Sequence, residues 1–216
     1  MIIANQVNYL AKKLNPVILE TQLIKLIPLT MQHINEFSHA GNYQEIWQYM
    51  SVSNQCINRE TAKTWIQQAI TAMAKGSEVA FVIIDKATNK LVGTTRLFRF
   101  NQAQSTLEIG HTFITPSFQR TYVNSHAKYL LLAHVFESLG INRVEICTHQ
   151  DNVKSRHAII RIGGHFEGII RQHRLQDSGQ YRNTALFSIL NNEWLRVKNN
   201  LLSSGKTVSE FCHERT

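Results

Sequence analysis

Arg120 and Lys128 stand at the opening of a helical pattern that follows directly on a strand, and basic residues in that setting can hold a phosphate. Ile109, Thr112, Phe113 and Ile114 make a run rich in β-branched and aromatic residues, which predicts a strand. Pro116 stops it, because proline cannot donate to a β ladder. The polar turn Gln119-Arg120-Thr121-Tyr122 follows, and then Val123, Ala127, Leu130, Leu131, His134 and Val135 recur at helical spacing. A helix start presents N–H groups without intrahelical acceptors and the positive end of the helix dipole, so it favours an anion. An ordinary strand-to-helix connection with no ligand has the same pattern, and residue types must separate the two readings.

The rest of the chain supplies a sheet and helices to position that stretch. Residues 18–29 alternate as a first strand. Thr30 is placed to cap a helix ending near Gly41, and Asn58 to cap a longer one ending at Gly76. Residues 43–50 read as a short helix or loop. Residues 78–85 and 91–100, joined by Ala87-Thr88-Asn89-Lys90, read as a hairpin. Residues 142–149 alternate as a strand, Gln150-Asp151-Asn152 is turn chemistry, and a helix from 153 closes at Gly163-Gly164. Residues 165–174 and 182–190 predict the last two strands. Hairpins flanking one strand–helix–strand unit predict an α+β fold, a mixed and mostly antiparallel sheet of about seven strands flanked by helices. With no repeat or linker, residues 1–216 read as one domain with a polar tail beyond about 202.

Composition narrows the class. The 43% hydrophobic and 18% charged content is that of a globular protein, and no run of about 18 apolar residues exists to span a membrane. The first residues lack the order of a secretory signal. Three cysteines far apart, Cys56, Cys147 and Cys212, suit a reducing cytoplasm and offer no metal site. The net charge is +8, and the segment 120–182 holds nine basic residues against five acidic. That field would attract an anionic cofactor, a ribosome-associated substrate or nucleic acid, or it is a basic solvated surface. Basic and aromatic residues are not interleaved, which argues against nucleic acid.

Taken with the residues around it, the central stretch resembles motif A of the GNAT acetyltransferases, in the branch similar to RimJ and RimL. The carriers are Glu108-Ile109-Gly110, the turn Pro116-Ser117-Phe118-Gln119, and Val123-Asn124-Ser125-His126-Ala127-Lys128. Asn152, Ser155 three on and Gly163 eleven on resemble motif B, so the likeness spans about 18–195. The departure is at Tyr122 and Asn124, which stand where the family usually has glycines that ease close backbone approach.

The resemblance implies a cytoplasmic enzyme moving acetyl from acetyl-CoA to a primary amine, on a small molecule or a protein N-terminus, by direct attack on the thioester. A homodimer is left open, and neither a metal nor a membrane is implied. Backbone N–H groups near Phe113, Ile114 and Thr115 would hold the pantetheine at a splay between two central strands and polarise the thioester carbonyl. Those from Arg120 through Thr121, Tyr122, Val123, Asn124 and Ser125, after Gln119, would take the diphosphate, with Asn152 a second cofactor contact. Glu108, eleven residues before Gln119, is the candidate general base, with a strand residue in an ion pair as the other reading. The tyrosine acid found in many relatives is replaced by Ile159, so Ser155 is the candidate acid, or else a helix residue bonding backbone. His111 and His126 read as packed or solvated residues, His126 as exposed, and Cys147 as core. A basic GNAT-fold binding protein near ribosome or RNA, without turnover, is the other class of function. An acceptor of aminoglycoside or polyamine type is disfavoured by the +8 charge.

Overall fold

The computed structural model describes residues 13–50, 58–176 and 179–204. Cys56, Cys212 and the expected tail from residue 205 lie outside the described residues. Eight strands form one sheet: β1 (Leu19–Glu20), β2 (Ile24–Pro28), β3 (Val79–Asp85), β4 (Lys90–Asn101), β5 (Thr106–Ile114), β6 (Arg143–His149), β7 (His165–Leu175) and β8 (Tyr181–Leu190). Their order is β1-β2-β3-β4-β5-β6-β8-β7, and every neighbouring pair is antiparallel except β5 and β6. The helices are α1 (Ile34–Gly41), α2 (Gln44–Trp47), α3 (Arg59–Ala74), α4 (Tyr122–Ala133), α5 (Val153–Arg161) and α6 (Trp194–Ser204). None is long and apolar enough to cross a membrane.

The expected first strand is two strands. The buried Thr21 hydroxyl accepts from the N–H groups of Leu23 and Ile24 (3.3 and 3.2 Å), which turns the chain and pairs β1 back on β2. Side-chain-to-backbone bonds of this kind compete with a continuous ladder. Other local expectations appear as read. Asn58 accepts from Thr61 N–H at 3.0 Å and caps α3, and Gly76 leaves that helix at φ +70°. The hairpin between β3 and β4 turns through Asn89 at φ +53°.

Helices cover both faces. On one, Val123, Ala127 and Leu131 of α4 and Trp194 and Val197 of α6 pack on Phe81, Ile109 and Phe187. On the other, Phe37 of α1 and Trp65 and Ile66 of α3 pack on Ala80, Val82 and Phe113. Each fully buried Leu, Ile or Phe contributes about 1.5–3 kcal/mol of transfer free energy, so the two faces hold the sheet as one rigid support.

That support is forked. β5 and β6 pair only from Thr106–Arg143 to Glu108–Glu145 and then part. The register between β4 and β5 shifts between Arg96–Gly110 and Thr94–Phe113, where His111 takes φ +46°. The extra residue bends β5 away from β6. Gly93 sits against this bend, where an added Cβ would lie 2.4 Å from the Phe113 carbonyl oxygen.

Candidate active site

The turn ahead of α4 follows the expected order of strand, polar turn and helix. Gln119 is extended (φ −70°, ψ 149°) and Arg120 follows at φ +61°, the left-handed second position of a tight turn. The Gln119 side-chain amide donates to Ile114 O at 2.9 Å and ties the turn to the end of β5. Thr121 caps α4: its hydroxyl accepts from Val123 N–H at 3.3 Å and donates to Phe118 O at 2.7 Å. Main-chain N–H groups of Arg120, Thr121, Tyr122 and Asn124 are left without acceptors among the described residues, as helix starts require. Arg120 and Thr121 are exposed, so an anion can reach them. The hydroxyls of Thr121 and Ser125 both donate to main-chain carbonyls, Ser125 to Tyr122 O at 2.9 Å. Their protons are therefore engaged, and the donors on offer are backbone.

Tyr122 does not obstruct this turn. Its phenol donates to Asp85 at the end of β3, and its ring stands edge-on to His126, 5.9 Å between centroids. Burial, then Asp85, push the Tyr122 phenol up to about 12, so it stays protonated as a donor. Burial works against the Asp85 carboxylate, but bonds from Thr88 and Tyr122 outweigh it and hold its affinity for a proton below the ordinary range.

Two helix residues depart from expectation. His126 is fully buried, with Nδ1 3.0 Å from the Thr21 hydroxyl, and burial lowers its pKa to about 4. Lys128 does not reinforce the phosphate turn. It runs under the sheet, 5% exposed, and donates to the Thr112 hydroxyl at 3.0 Å, with burial lowering it to about 7. Both corrections have one cause: α4 is enclosed on more than one side, so the single-stripe reading of its pattern fails.

At the fork only part of the expected donor set faces outward. Thr115 N–H donates to Val92 O at 2.8 Å and is spent within the sheet. Strand alternation puts the Phe113 N–H on that same side and turns Ile114 N–H toward the opening left by β6. The Phe113 ring packs instead against Phe37 and Trp47.

The face under α1 and α3 is unexpectedly rich in arginine. Glu108, 2% exposed at the last β5–β6 pair, accepts from Arg174 on both oxygens (3.2 Å each) and from Arg99 at 3.1 Å. This is the arrangement of the ion-pair reading of Glu108, whose carboxylate is held by two guanidinium groups. Arg96 pairs with Glu78 at 3.1 Å and stacks on Trp65, 3.8 Å from the ring centroid. Burial keeps Glu78 above the usual carboxylate range despite Arg96. His111, enclosed by Trp65 and Phe98, is held to about 3 by burial and then by Arg96, Arg174, Arg99 and Arg182. It is neutral and a poor proton acceptor. Cys147, on the neighbouring strand, is pushed up to about 12 by burial and then by Glu108, so it is an inert thiol. Arg182 donates to Tyr49 O at 2.7 Å. None of these arginines was legible as a group, because they come from β4, β7 and β8 and meet only across the fork.

At the far side of the fork, Asn152 Oδ1 accepts from Ser155 N–H at 3.0 Å and caps α5. Asn152 is thus a helix cap. The Ser155 hydroxyl makes no hydrogen bond to a described residue. The helix behind it ends where predicted: Gly163, at φ +97°, lies so close to Val197 that an added Cβ would meet it at 2.7 Å.

A forked sheet, a bulge at the fork and a helix start with open N–H groups define the acetyltransferase class of fold. The Acetyltransferase (GNAT) domain family model matches residues 24–165. The chain is 25% identical over 173 residues to the uncharacterized N-acetyltransferase YoaA of Bacillus subtilis (strain 168), spanning 80% of this chain and 96% of that protein. A GCN5-related N-acetyltransferase from Brucella melitensis superposes with a TM-score of 0.82 at 31% identity, covering 89% of this chain and 86% of the other. Mycobacterium smegmatis RimJ, in complex with CoA-disulfide, superposes with a TM-score of 0.74 at 19% identity over 91% and 96%. The chain belongs to the GNAT acetyltransferase family and is an N-acetyltransferase.

Proposed function

We propose that this N-acetyltransferase takes its acetyl group from acetyl-CoA and gives it to a primary amine at the fork. The observation that carries the reading is the set of open N–H groups at Arg120, Thr121, Tyr122 and Asn124, laid over the positive end of α4. Those donors fit a diphosphate without any glycine, because Tyr122 is drawn aside by Asp85. Acetyl-CoA, when bound, supplies an activated thioester.

Ile114 N–H is the donor placed to polarise the thioester carbonyl. The amine, once neutral, forms the new C–N bond as the C–S bond breaks, and its second proton leaves to water in the cleft. Glu108 acts by fixing Arg99 and Arg174, and His111 stays neutral beside them. Ser155, at the mouth of α5 with a free hydroxyl, is the group assigned to protonate the departing thiolate.

Two substitutions separate these roles. Ser155→Ala lowers kcat about 10- to 100-fold and leaves the Kd for acetyl-CoA unchanged. Stopped-flow turnover with calorimetric binding measures both, and an unchanged kcat removes Ser155 from the chemistry. Glu108→Gln leaves two guanidiniums without their carboxylate and, with Arg99 half exposed, costs about 3 kcal/mol of stability, the low end for a broken buried pair. The pH profile of kcat keeps its acid limb in that variant. Loss of the limb would make Glu108 the base. The reading as a whole is tested by release of free thiol from acetyl-CoA over a library of amines and N-terminal peptides. No release, together with no calorimetric binding of acetyl-CoA at tens of micromolar, favours a binding protein that keeps the fold without turnover.

A further inference from the structure

Arg174 and Arg182 stand directly opposite each other on β7 and β8. Like charges in that arrangement repel, and both are withdrawn from solvent, Arg182 to 6% exposure and the Arg174 side chain to 15%. Glu108 is shared between Arg174 and Arg99, one carboxylate for two guanidinium groups, and Glu78 neutralises Arg96. Among the described residues Arg182 makes no direct ion pair: its hydrogen-bond partner is the neutral Tyr49 carbonyl, and Glu108 acts on it only through space, against the nearer repulsion of Arg174. Its Nε has no hydrogen-bond partner, nor have the Thr184 hydroxyl, Arg174 Nε and His173 Nδ1. Thr184 is fully buried two residues along β8 from Arg182, on the same face of the strand. These four unsatisfied polar atoms, one of them on a buried guanidinium without a direct ion pair, are costly unless something pairs with them.

Arg182, Arg174 and Thr184 lie on the sheet face that carries Glu108 and His111, and Arg182 reaches Tyr49, whose ring lies 5.3 Å from His149. The diphosphate turn at the start of α4 is a separate anion site. Arg99, half exposed at 52%, forms the mouth.

We infer that the acceptor of this enzyme is a primary amine carrying an oxyanion, a carboxylate or a phosphate, which Arg182 and Thr184 bind beside the fork. The inference rests on the acetyl-transfer reading and narrows its substrate class. The oxyanion completes the pairing that Glu108 leaves unfilled and, as the amine's near neighbour, sets the amine at the opening of β5 and β6.

The test measures thiol release from acetyl-CoA with matched amines: ethanolamine phosphate against ethanolamine, and serine against serinamide. We expect kcat/KM at least 100-fold higher for the anionic member of one or both pairs, and the pair that shows it tells phosphate from carboxylate. Arg182→Gln brings that preference to within about threefold while the Kd for acetyl-CoA stays as in the wild type. Should Arg182→Gln fail to fold, Thr184→Val, which keeps the charge, raises KM for the anionic amine several-fold and leaves KM for its neutral mate alone. Turnover of neutral and anionic amines at equal efficiency overturns the inference and leaves acetyl transfer standing. If no amine is turned over, inorganic phosphate is titrated while the His173 and His111 imidazole resonances are followed. Saturable shifts in the wild type that vanish in Arg182→Gln (or weaken in Thr184→Val) support the site, and their absence in the wild type overturns it.

Discussion

Asn124→Glu weakens acetyl-CoA binding about 100-fold while the protein unfolds at the same temperature as the wild type or higher. The two effects have opposite sign and one cause. Asn124 is the third residue of α4, and Thr121 is the cap. A glutamate three residues after a threonine cap can reach back to the cap's N–H, and a negative charge in the first turn suits the helix dipole, so the helix gains a few tenths to about 1 kcal/mol. The same carboxylate occupies one diphosphate donor and sets a negative charge against the ligand. A loss of about 2.7 kcal/mol, 100-fold, is within what one charge at contact distance supplies in a partly exposed site. Calorimetric titration and thermal unfolding of the one variant read both. Weaker binding with a lower melting temperature would mean only a damaged helix.

Lys128→Met flattens the dependence of stability on pH between 7 and 9. The Lys128 ammonium is lowered by burial from 10.5 to about 7. The unfolded chain therefore keeps a proton that the folded chain releases through this window, and stability rises with pH across it. From pH 7 to 9 the rise is about 2 kcal/mol, or about 5 °C in Tm for a chain of this size. Above pH 9 the effect is opposed by Cys147, whose thiol burial pushes up to about 12, so the clean window ends there. Methionine fills the same channel without a charge, and the Thr112 hydroxyl keeps its bonds to Thr95 and Gly110. The variant is more stable than the wild type at pH 7, and its melting temperature is flat from 7 to 9. A wild-type slope that persists in Lys128→Met would locate the titrating group elsewhere.

The fold was legible wherever local chemistry decides an element. Asn58, Gly76, Pro116, Asn89 and the Gly163-Gly164 pair stop or turn the chain where their types require it. The one split strand turns on Thr21, whose hydroxyl takes two backbone N–H groups, an event that alternation of apolar residues does not encode. The turn ahead of α4 was also legible, because Pro116 ends the strand and Thr121 opens the helix. What stayed hidden is non-local. The two readings of Glu108, base or ion-paired strand residue, could not be separated locally because its partners Arg99 and Arg174 come from other strands. His126 read as exposed because the second wall around α4 is made by β1 and β2, about a hundred residues earlier in the chain, and Lys128 read as a phosphate ligand although its ammonium turns inward to Thr112 of β5. The position of the Tyr122 ring depends on Asp85, thirty-seven residues away.

The central claim is that main-chain donors just beyond Gln119 hold a diphosphate. Its most direct test follows backbone amide resonances while acetyl-CoA is titrated into the full chain. The claim predicts saturable shifts that are largest at Arg120, Thr121, Tyr122 and Asn124, with a second set at Ile114. Saturable binding that leaves those amides unmoved would contradict it.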